Sequence, residues 1–551
     1  MTSPSRPDAA DPAADGQTSG AAAIVAQFQA RGVQQIFGVP GGDCSLDIIE
    51  AAEQVGIPFV LTRSENAAAM MAAAAYQVTG QLGVVLTTRG PGLANGANGV
   101  ACAMLDRCGI VIISDGYEND QAFVSHQRFD QQRLLEPVVK GSLRIDAPSA
   151  LPGLGPLLDL AVARPAGPVY LEVTGQGVRT RMPAPAMAVV PAAVSASPPA
   201  ASDAIEVARK LMSAARQPVI IAGLQTREPH AAGALRALAA RWHCPVFTTY
   251  MGKGAIPDTD VLSVGHFMAG GAEADAMNAA DLILTFGLDP IELLPKPWRY
   301  AAPVIELGTY AFARNHWVPA VPLIGDLAAT CQELARGLSA SPWEPHAVKA
   351  LKAHMRERAA VLAPGAITPT LLAQAACAAL PKNARITVDA GAHMLPVLAS
   401  YEASNPYDAL VSRGLATMAY ALPSGIGAAL ADPGRPVVAF TGDGGLMMCA
   451  GDLATAAQAG CQLTVVVFND SAIAMIGVKQ HQRGFERRGM DYSPTDFAQV
   501  ARGFGCAAFR VADPAELDAT LRRAFATRGP CVVDVAVDPA TYQAQIRALR
   551  G

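Results

Sequence analysis

The residues best suited to chemistry lie in two short stretches. VVAFTGDGG runs from an apolar, largely β-branched segment into Gly442, Asp443, Gly444 and Gly445, and LTVVVFND ends a second apolar run at Asn469 and Asp470. The segment between them has a helical pattern, so the whole reads as strand, glycine-rich turn, helix and strand. Glycines let the backbone come close to a bulky anion such as a diphosphate, and a turn there aims N–H groups at it. Asp443 and Asn469 fall at the C-terminal ends of neighbouring strands, the edge where open parallel sheets bind ligands. A carboxylate, an amide oxygen and one backbone carbonyl make an oxygen set that suits Mg²⁺ and leaves room for phosphate oxygens. Gly-Asp-Gly alone is often just the turn of a βαβ unit; the Asn-Asp pair ending the next strand is what gives it weight.

The elements that must position these residues alternate regularly. Helical patterns at 21–31, 44–55, 65–79 and 95–105 interleave with strands at 35–39, 59–61, 83–87 and 109–114, with a turn at 88–92. Such alternation, with apolar strands, means a parallel sheet covered by helices on both faces. Residues 181–203, rich in Pro, Ala and Ser, read as an interdomain linker. A second α/β unit at 204–340 has helices at 204–215 and 231–242 and strands at 218–222, 246–248, 281–286 and 304–306. A helical linker at 341–367 leads to a third unit at 368–551. The expected fold is α/β: three consecutive parallel-sheet domains sandwiched by helices. VVLTTRGPG in the first domain (20–180) echoes VVAFTGDGG in the third, which hints at duplicated folds. In the middle unit, Gly223, Leu224, Gln225, Thr226 and Arg227 follow the first strand without a GxGxxG pattern or an acidic residue for a ribose. A nicotinamide dehydrogenase is therefore disfavoured.

Bulk properties narrow the classes. A chain of 551 residues should form several domains. With 51% hydrophobic and 16% charged residues and a net charge of −5, nothing argues for a nucleic-acid partner. Ten cysteines without a CxxC pair fit a reducing cytoplasm and disfavour a cysteine metal or redox site. Apolar runs are strand-length, so no membrane span is expected. Residues 1–19 lack a basic start and an apolar core; they read as a disordered leader, not a secretory signal.

Four further segments complete the pattern: FGVPGGD followed by LTRSENAAAMMAAAAY, HQRFDQQRLLEPVVKGSLRI at 126–145, DAGAHM at 389–394, and SRGLATMAYALPSGIGAALA at 412–431. Together with GDGG and the Asn-Asp pair they resemble the thiamin diphosphate (ThDP) enzyme superfamily of acetolactate synthases, 2-oxo acid decarboxylases and benzaldehyde lyase over nearly the whole chain. The resemblance implies a pyrimidine-binding, a central and a diphosphate-binding domain. It implies that Glu65 hydrogen-bonds N1′ of the aminopyrimidine and, with a pKa raised by burial, drives the proton shift that activates the cofactor. A Glu at a helix start also serves as a cap or dipole partner. Met418 would be the apolar wedge under the cofactor, or else a core Met, and the Ala416 carbonyl would receive the 4′-amino hydrogen. His393 would donate to the diphosphate, or be a structural His. Gly442, Gly444, Gly445, Ser471, Ala472 and Ile473 would complete the cofactor contacts, with Asp443, Asn469 and Ser471 as metal ligands. Ala416 and Ala419 stand where relatives often carry Gly.

The same resemblance places Gln127 and His126 at the substrate, with Gly41, Gly42, Met475 and Lys479 in the pocket; His126 stands where Phe or Leu is more usual and is equally readable as a surface loop residue. Met475 favours the acetolactate synthase branch, whereas Lys479 replaces its Trp. KQHQRGFERR suggests an anionic substrate or a solvated basic face. The implied activity is decarboxylation of pyruvate or a related 2-oxo acid to an acyl-anion equivalent, followed by addition to a second carbonyl or by protonation. ThDP and Mg²⁺ are the implied cofactors; FAD or a CoA nucleotide in the central domain stays open. A homodimer or homotetramer with the active site at the subunit interface is implied. The rivals are a C–C lyase of the benzaldehyde lyase or 2-hydroxyacyl-CoA lyase type, a flavin-linked pyruvate oxidase, and a ThDP-binding subunit without turnover.

Overall fold

The computed structural model describes residues 16–183 and 197–550, apart from 229, 270, 314 and 364. Most of the expected leader and the middle of the linker therefore lie outside the described residues. Among the described residues the strands form three parallel six-stranded sheets plus a two-stranded antiparallel pair. The chain separates into two compact units: one up to residue 194, the other Ser195–Gly551 with two of the large sheets.

In the first unit the sheet order is Phe59–Leu61, Ile36–Val39, Gly83–Thr87, Ile110–Asp115, Val169–Val173 and Ser142–Ile145. Its two central strands, Gly83–Thr87 and Ile110–Asp115, are buried along their length, as strands covered on both faces must be. Two small-residue helices, Glu65–Thr79 and Pro91–Leu105, pack closely against each other beside the sheet. A Cβ on Gly99 would lie 2.6 Å from that of Ala69, so glycine is what permits this approach. The second of these helices begins at Pro91, four residues before its expected start, because Pro suits a first helical position. Two boundaries also move. Gln17–Ser19, expected as leader, pairs antiparallel with Arg181–Pro183, expected as linker, and Gly175–Arg179 is a short helix. Backbone pairing between distant segments overrides their loop-like composition.

The second unit carries the central sheet, ordered Ser263–His266, Val246–Thr248, Pro218–Ala222, Leu282–Phe286, Val304–Gly308 and Val321–Ile324. Numbered in chain order its strands run 3-2-1-4-5-6, the doubly wound arrangement. The expected helical linker contains the helix Pro345–Ala359. The last sheet is ordered Ala409–Val411, Arg385–Val388, Val437–Gly442, Leu463–Asn469, Cys531–Ala536 and Ala507–Val511. Numbered likewise, the first and last sheets both run 2-1-3-4-6-5, and the echoing VVLTT and VVAFTG segments are the third strand of each. The hinted duplication is thus present in the topology. One apolar core runs through both sheets of the second unit. Asp258 ties them together: its N–H donates to the Ala403 carbonyl at 2.9 Å, its Oδ2 accepts from the Ala403 N–H at 2.8 Å, and the buried Lys253 ammonium lies 2.7 Å from that oxygen. Among the described residues no helix is long and apolar enough to cross a membrane.

Candidate functional site

At the C-terminal edge of the last sheet, the Val437–Gly442 and Leu463–Asn469 strands pair in parallel with Gly442 opposite Phe468. The residues that follow stand side by side: Asp443 just past the end of its strand, and Asn469 as the last residue of the next, still paired with Ala536 on its other side. Asp443 opens the helix Asp443–Cys449 directly, so the expected glycine turn is instead a strand-to-helix junction. The cause is local: Asp443 Oδ1 takes the Gly444 N–H at 2.6 Å, an N–H that the turn was expected to aim at a ligand. Asp443 Oδ2 accepts from the Ala472 N–H at 3.2 Å, which draws the loop after Asn469 against it. Burial raises the Asp443 carboxyl above its ordinary range, against the pull of the backbone N–H groups. Burial and the neighbouring Asp443 push Asp470 up to about 7.

The Asn469 amide is oriented by its donors. Its Nδ2 donates to the Thr495 carbonyl at 3.0 Å and to Asp534 Oδ1 at 2.8 Å, so both amide hydrogens are used and the oxygen faces away from them. Ser471 has a left-handed backbone, φ +55°, and its carbonyl accepts the Tyr492 N–H at 2.7 Å. Ala472 bridges to Asp491, and the Ile473 N–H reaches the Met490 carbonyl at 2.8 Å, so the 490–492 segment braces the loop.

His393, Met418 and the glycines gather at the same edge. His393 packs on Phe468 with ring centroids 5.3 Å apart, and its Nδ1 lies 3.3 Å from where a Cβ on Gly442 would stand. Burial holds its imidazole at about 4, and a bond to the Phe440 carbonyl occupies one ring nitrogen. Its Nε2 is buried without a protein partner. A Cβ on Gly444 would fall 3.2 Å from the Met418 methyl and 2.6 Å from Tyr492 Oη; one on Gly445 would fall 2.2 Å from Asp389 Oδ2. Asp389 Oδ1 in turn accepts the N–H groups of Tyr420 and Ala421, at 2.5 and 2.9 Å, holding the segment that carries Ala416 and Met418. Ala416 and Ala419 both adopt left-handed backbone, φ +53° and +64°. Met475 packs on the apolar core, whereas Lys479 is exposed in the last turn of Ala474–Gln482.

In the first unit, Glu65 is buried at the start of its helix and accepts a short hydrogen bond from Asn95 Nδ2. Its Oε1 lies 3.0 Å from where a Cβ on Gly92 would be. Gln127, at φ +55°, lies over Gly90: a Cβ there would meet the Gln127 carbonyl at 2.8 Å. Gly90, Pro91 and Gly92 thus have Gln127 at one end and Glu65 at the other. His126 is exposed, and its carbonyl accepts the Tyr117 hydroxyl. Gly42 faces open space, but Gly41 is required by packing, since a Cβ would meet Asp115 Oδ2 at 2.4 Å.

The fit to an oxygen-ligated cation and a polyanion rests on this donor set: one carboxylate, one oriented amide oxygen, one loop carbonyl and an unpartnered buried imidazole nitrogen. Among the described residues no group of three or more His, Cys, Asp or Glu is placed to hold a metal, so an ion here depends on the amide and the carbonyl. The central sheet fits a dinucleotide poorly. At its switch point, Glu292 Oε1 takes the N–H groups of Leu224 and Asp289 at 2.8 and 2.9 Å, and Gln225 Oε1 takes that of Thr309 at 2.8 Å. The chain's own side chains occupy the donors that a diphosphate would need. Tyr492, Asp534 and Asn95 are contributors that sequence reasoning missed. Asn95, just after the Gly-Pro-Gly turn, was readable as a helix residue, but nothing in the sequence pairs it with Glu65.

Three family models match the chain: the thiamine pyrophosphate enzyme N-terminal TPP binding domain at residues 18–134, the central domain at 205–334 and the C-terminal TPP binding domain at 389–535. The acetolactate synthase of Bacillus subtilis is 29% identical, covering 94% of this chain and 93% of its own. The acetolactate synthase large subunit of Haemophilus influenzae is 30% identical, covering 96% of both. A probable 2-ketoarginine decarboxylase of Pseudomonas aeruginosa is also 30% identical, covering 93% of both.

Proposed function

Because this chain belongs to the thiamine pyrophosphate enzyme family, we propose that it is a Mg²⁺-dependent carboligase that decarboxylates pyruvate or a related 2-oxo acid and joins the remaining acyl unit to a second carbonyl. With pyruvate as both partners, two molecules give acetolactate and CO₂. The observation that carries this reading is the junction of Asp443, the oriented Asn469 amide and the Ser471–Ile473 loop at one strand edge.

When bound, thiamin diphosphate supplies the electron sink that lets the carboxylate leave as CO₂. The chain's residues do the rest. Asp443, Asn469 Oδ1 and the Ser471 carbonyl would hold Mg²⁺; His393 and the backbone at Gly442 and Gly445 would face the diphosphate. Met418 and the Ala416 carbonyl would support the pyrimidine ring. Glu65, anchored by Asn95, would hold and move the proton at N1′. Gln127 and His126, with Gly42, Met475 and Lys479, would orient the substrate. In this reading the first unit of one copy and the second unit of another share a cofactor, so the smallest active form is a homodimer.

The relative named a probable 2-ketoarginine decarboxylase supports a second reading, in which protonation to an aldehyde replaces carboligation. Purified protein supplied with ThDP, Mg²⁺ and a panel of 2-oxo acids decides between them by mass spectrometry. Acetolactate formation supports the first reading and an aldehyde product the second. Absence of CO₂ from every acid overturns both.

A further inference from the structure

Asp534 lies in the Cys531–Ala536 strand, next to Leu463–Asn469 and far from it in sequence. It is completely buried, and both its oxygens are engaged: Oδ1 accepts from Asn469 Nδ2 at 2.8 Å, and Oδ2 accepts the Phe497 N–H at 3.0 Å. The second hydrogen of the Asn469 amide goes to the Thr495 carbonyl at 3.0 Å. Both partners of that amide nitrogen accept: one is a backbone carbonyl, and the other is a carboxyl whose second oxygen is already taken by the Phe497 N–H. A flipped amide would set its oxygen against a carboxylate and a carbonyl, so the orientation is forced by chemistry. A burial role alone would not need a carboxylate here, since an apolar side chain of the same size packs a strand interior at lower cost.

We propose that Asp534 is a positioning residue: its carboxylate fixes the Asn469 amide so that the amide oxygen, not the amide nitrogen, is presented to a divalent cation held with Asp443. The inference rests on the reading of Asn469 as a metal ligand. Outer groups that orient a ligand commonly change metal affinity by about 10- to 100-fold when removed. Asp534→Asn gives the position a donor end, which must face either the Asn469 amide or the Phe497 N–H. Asp534→Leu removes the acceptor altogether.

The test uses Mn²⁺ as the probe, with ThDP present, and reads free Mn²⁺ by electron paramagnetic resonance. Either folded Asp534 variant should bind Mn²⁺ about 10- to 100-fold more weakly than the wild type. In an Asn469→Ala background the same Asp534 change should add nothing further, because no amide remains to be oriented. Unchanged affinity in the folded single variants overturns the inference and leaves the metal site standing. An equal loss in the Asn469→Ala background also overturns it, since that is the signature of a structural role. A wild type that binds no Mn²⁺ overturns both this inference and the reading beneath it.

Discussion

Asp443 reaches from the end of one strand to the loop beyond the next, where its Oδ2 takes the Ala472 N–H at 3.2 Å. That bond brings the carboxylate and the Asn469–Ile473 loop to one edge before any ligand is considered. The cost is a buried acid, raised above its ordinary range by desolvation. A divalent cation held there, as proposed, would offset that cost and link site geometry to cation affinity.

Glu65→Gln should leave ThDP binding nearly intact while slowing deuterium exchange at C2 of the bound cofactor by a factor on the order of 10² to 10⁴, the usual worth of a positioned acid–base group. Exchange is followed by acid quench and proton NMR. Exchange at the wild-type rate would remove Glu65 from its assigned role.

Ala416→Gly should stabilise the fold. Ala416 is exposed and held at φ +53°, a conformation that costs a β-carbon about 1 kcal/mol and glycine almost nothing. Glycine's greater freedom in the unfolded chain offsets part of that relief, so the expected rise in unfolding free energy is about 0.5 kcal/mol, read from denaturant titration. A loss of stability would show that the Ala416 methyl makes contacts outweighing its strain.

Much of this arrangement was legible in the sequence, and the exceptions have physical causes. The Leu463–Asn469 strand is largely apolar and buried, and its end at Asn-Asp marks the candidate site. The edge strands Ser263–His266 and Val321–Ile324 were missed because they are short and partly polar or solvent-facing. The Gln17–Ser19 pairing with Arg181–Pro183 joins segments that each look like loop. Gly442–Gly445 read as a turn because glycine favours turns, but Asp443 sits in the first helical turn with its carboxylate on the Gly444 N–H, and the helix starts at once. Asp534 and Tyr492 reach the site only through tertiary pairing, which leaves no local periodicity to read.

Glu292 makes a pH signature separable from the active site. Burial pushes its carboxyl up to about 7 from an ordinary 4.5, despite hydrogen bonds from Thr249, Leu224 and Asp289. The folded protein therefore holds a proton that the unfolded chain releases between those values, and this group's contribution to stability falls as pH rises from about 4.5 to about 7. Glu292→Gln, which mimics the protonated form, should gain stability over the wild type across that window. A difference independent of pH would refute the raised value.

The same carboxylate bears on flavin. With Glu292 on the Leu224 and Asp289 N–H groups and Gln225 on that of Thr309, added FAD should neither co-purify nor quench on titration. A yellow protein with an absorbance band near 450 nm would mean that these side chains move aside.

The most direct test of the account is calorimetric titration of ThDP into the purified chain with Mg²⁺ or with EDTA, repeated on Asp443→Ala. Binding should be saturable with Mg²⁺ and weaken at least tenfold in EDTA and in the variant. ThDP binding that ignores both Mg²⁺ and Asp443, or no binding at saturating Mg²⁺, would contradict it.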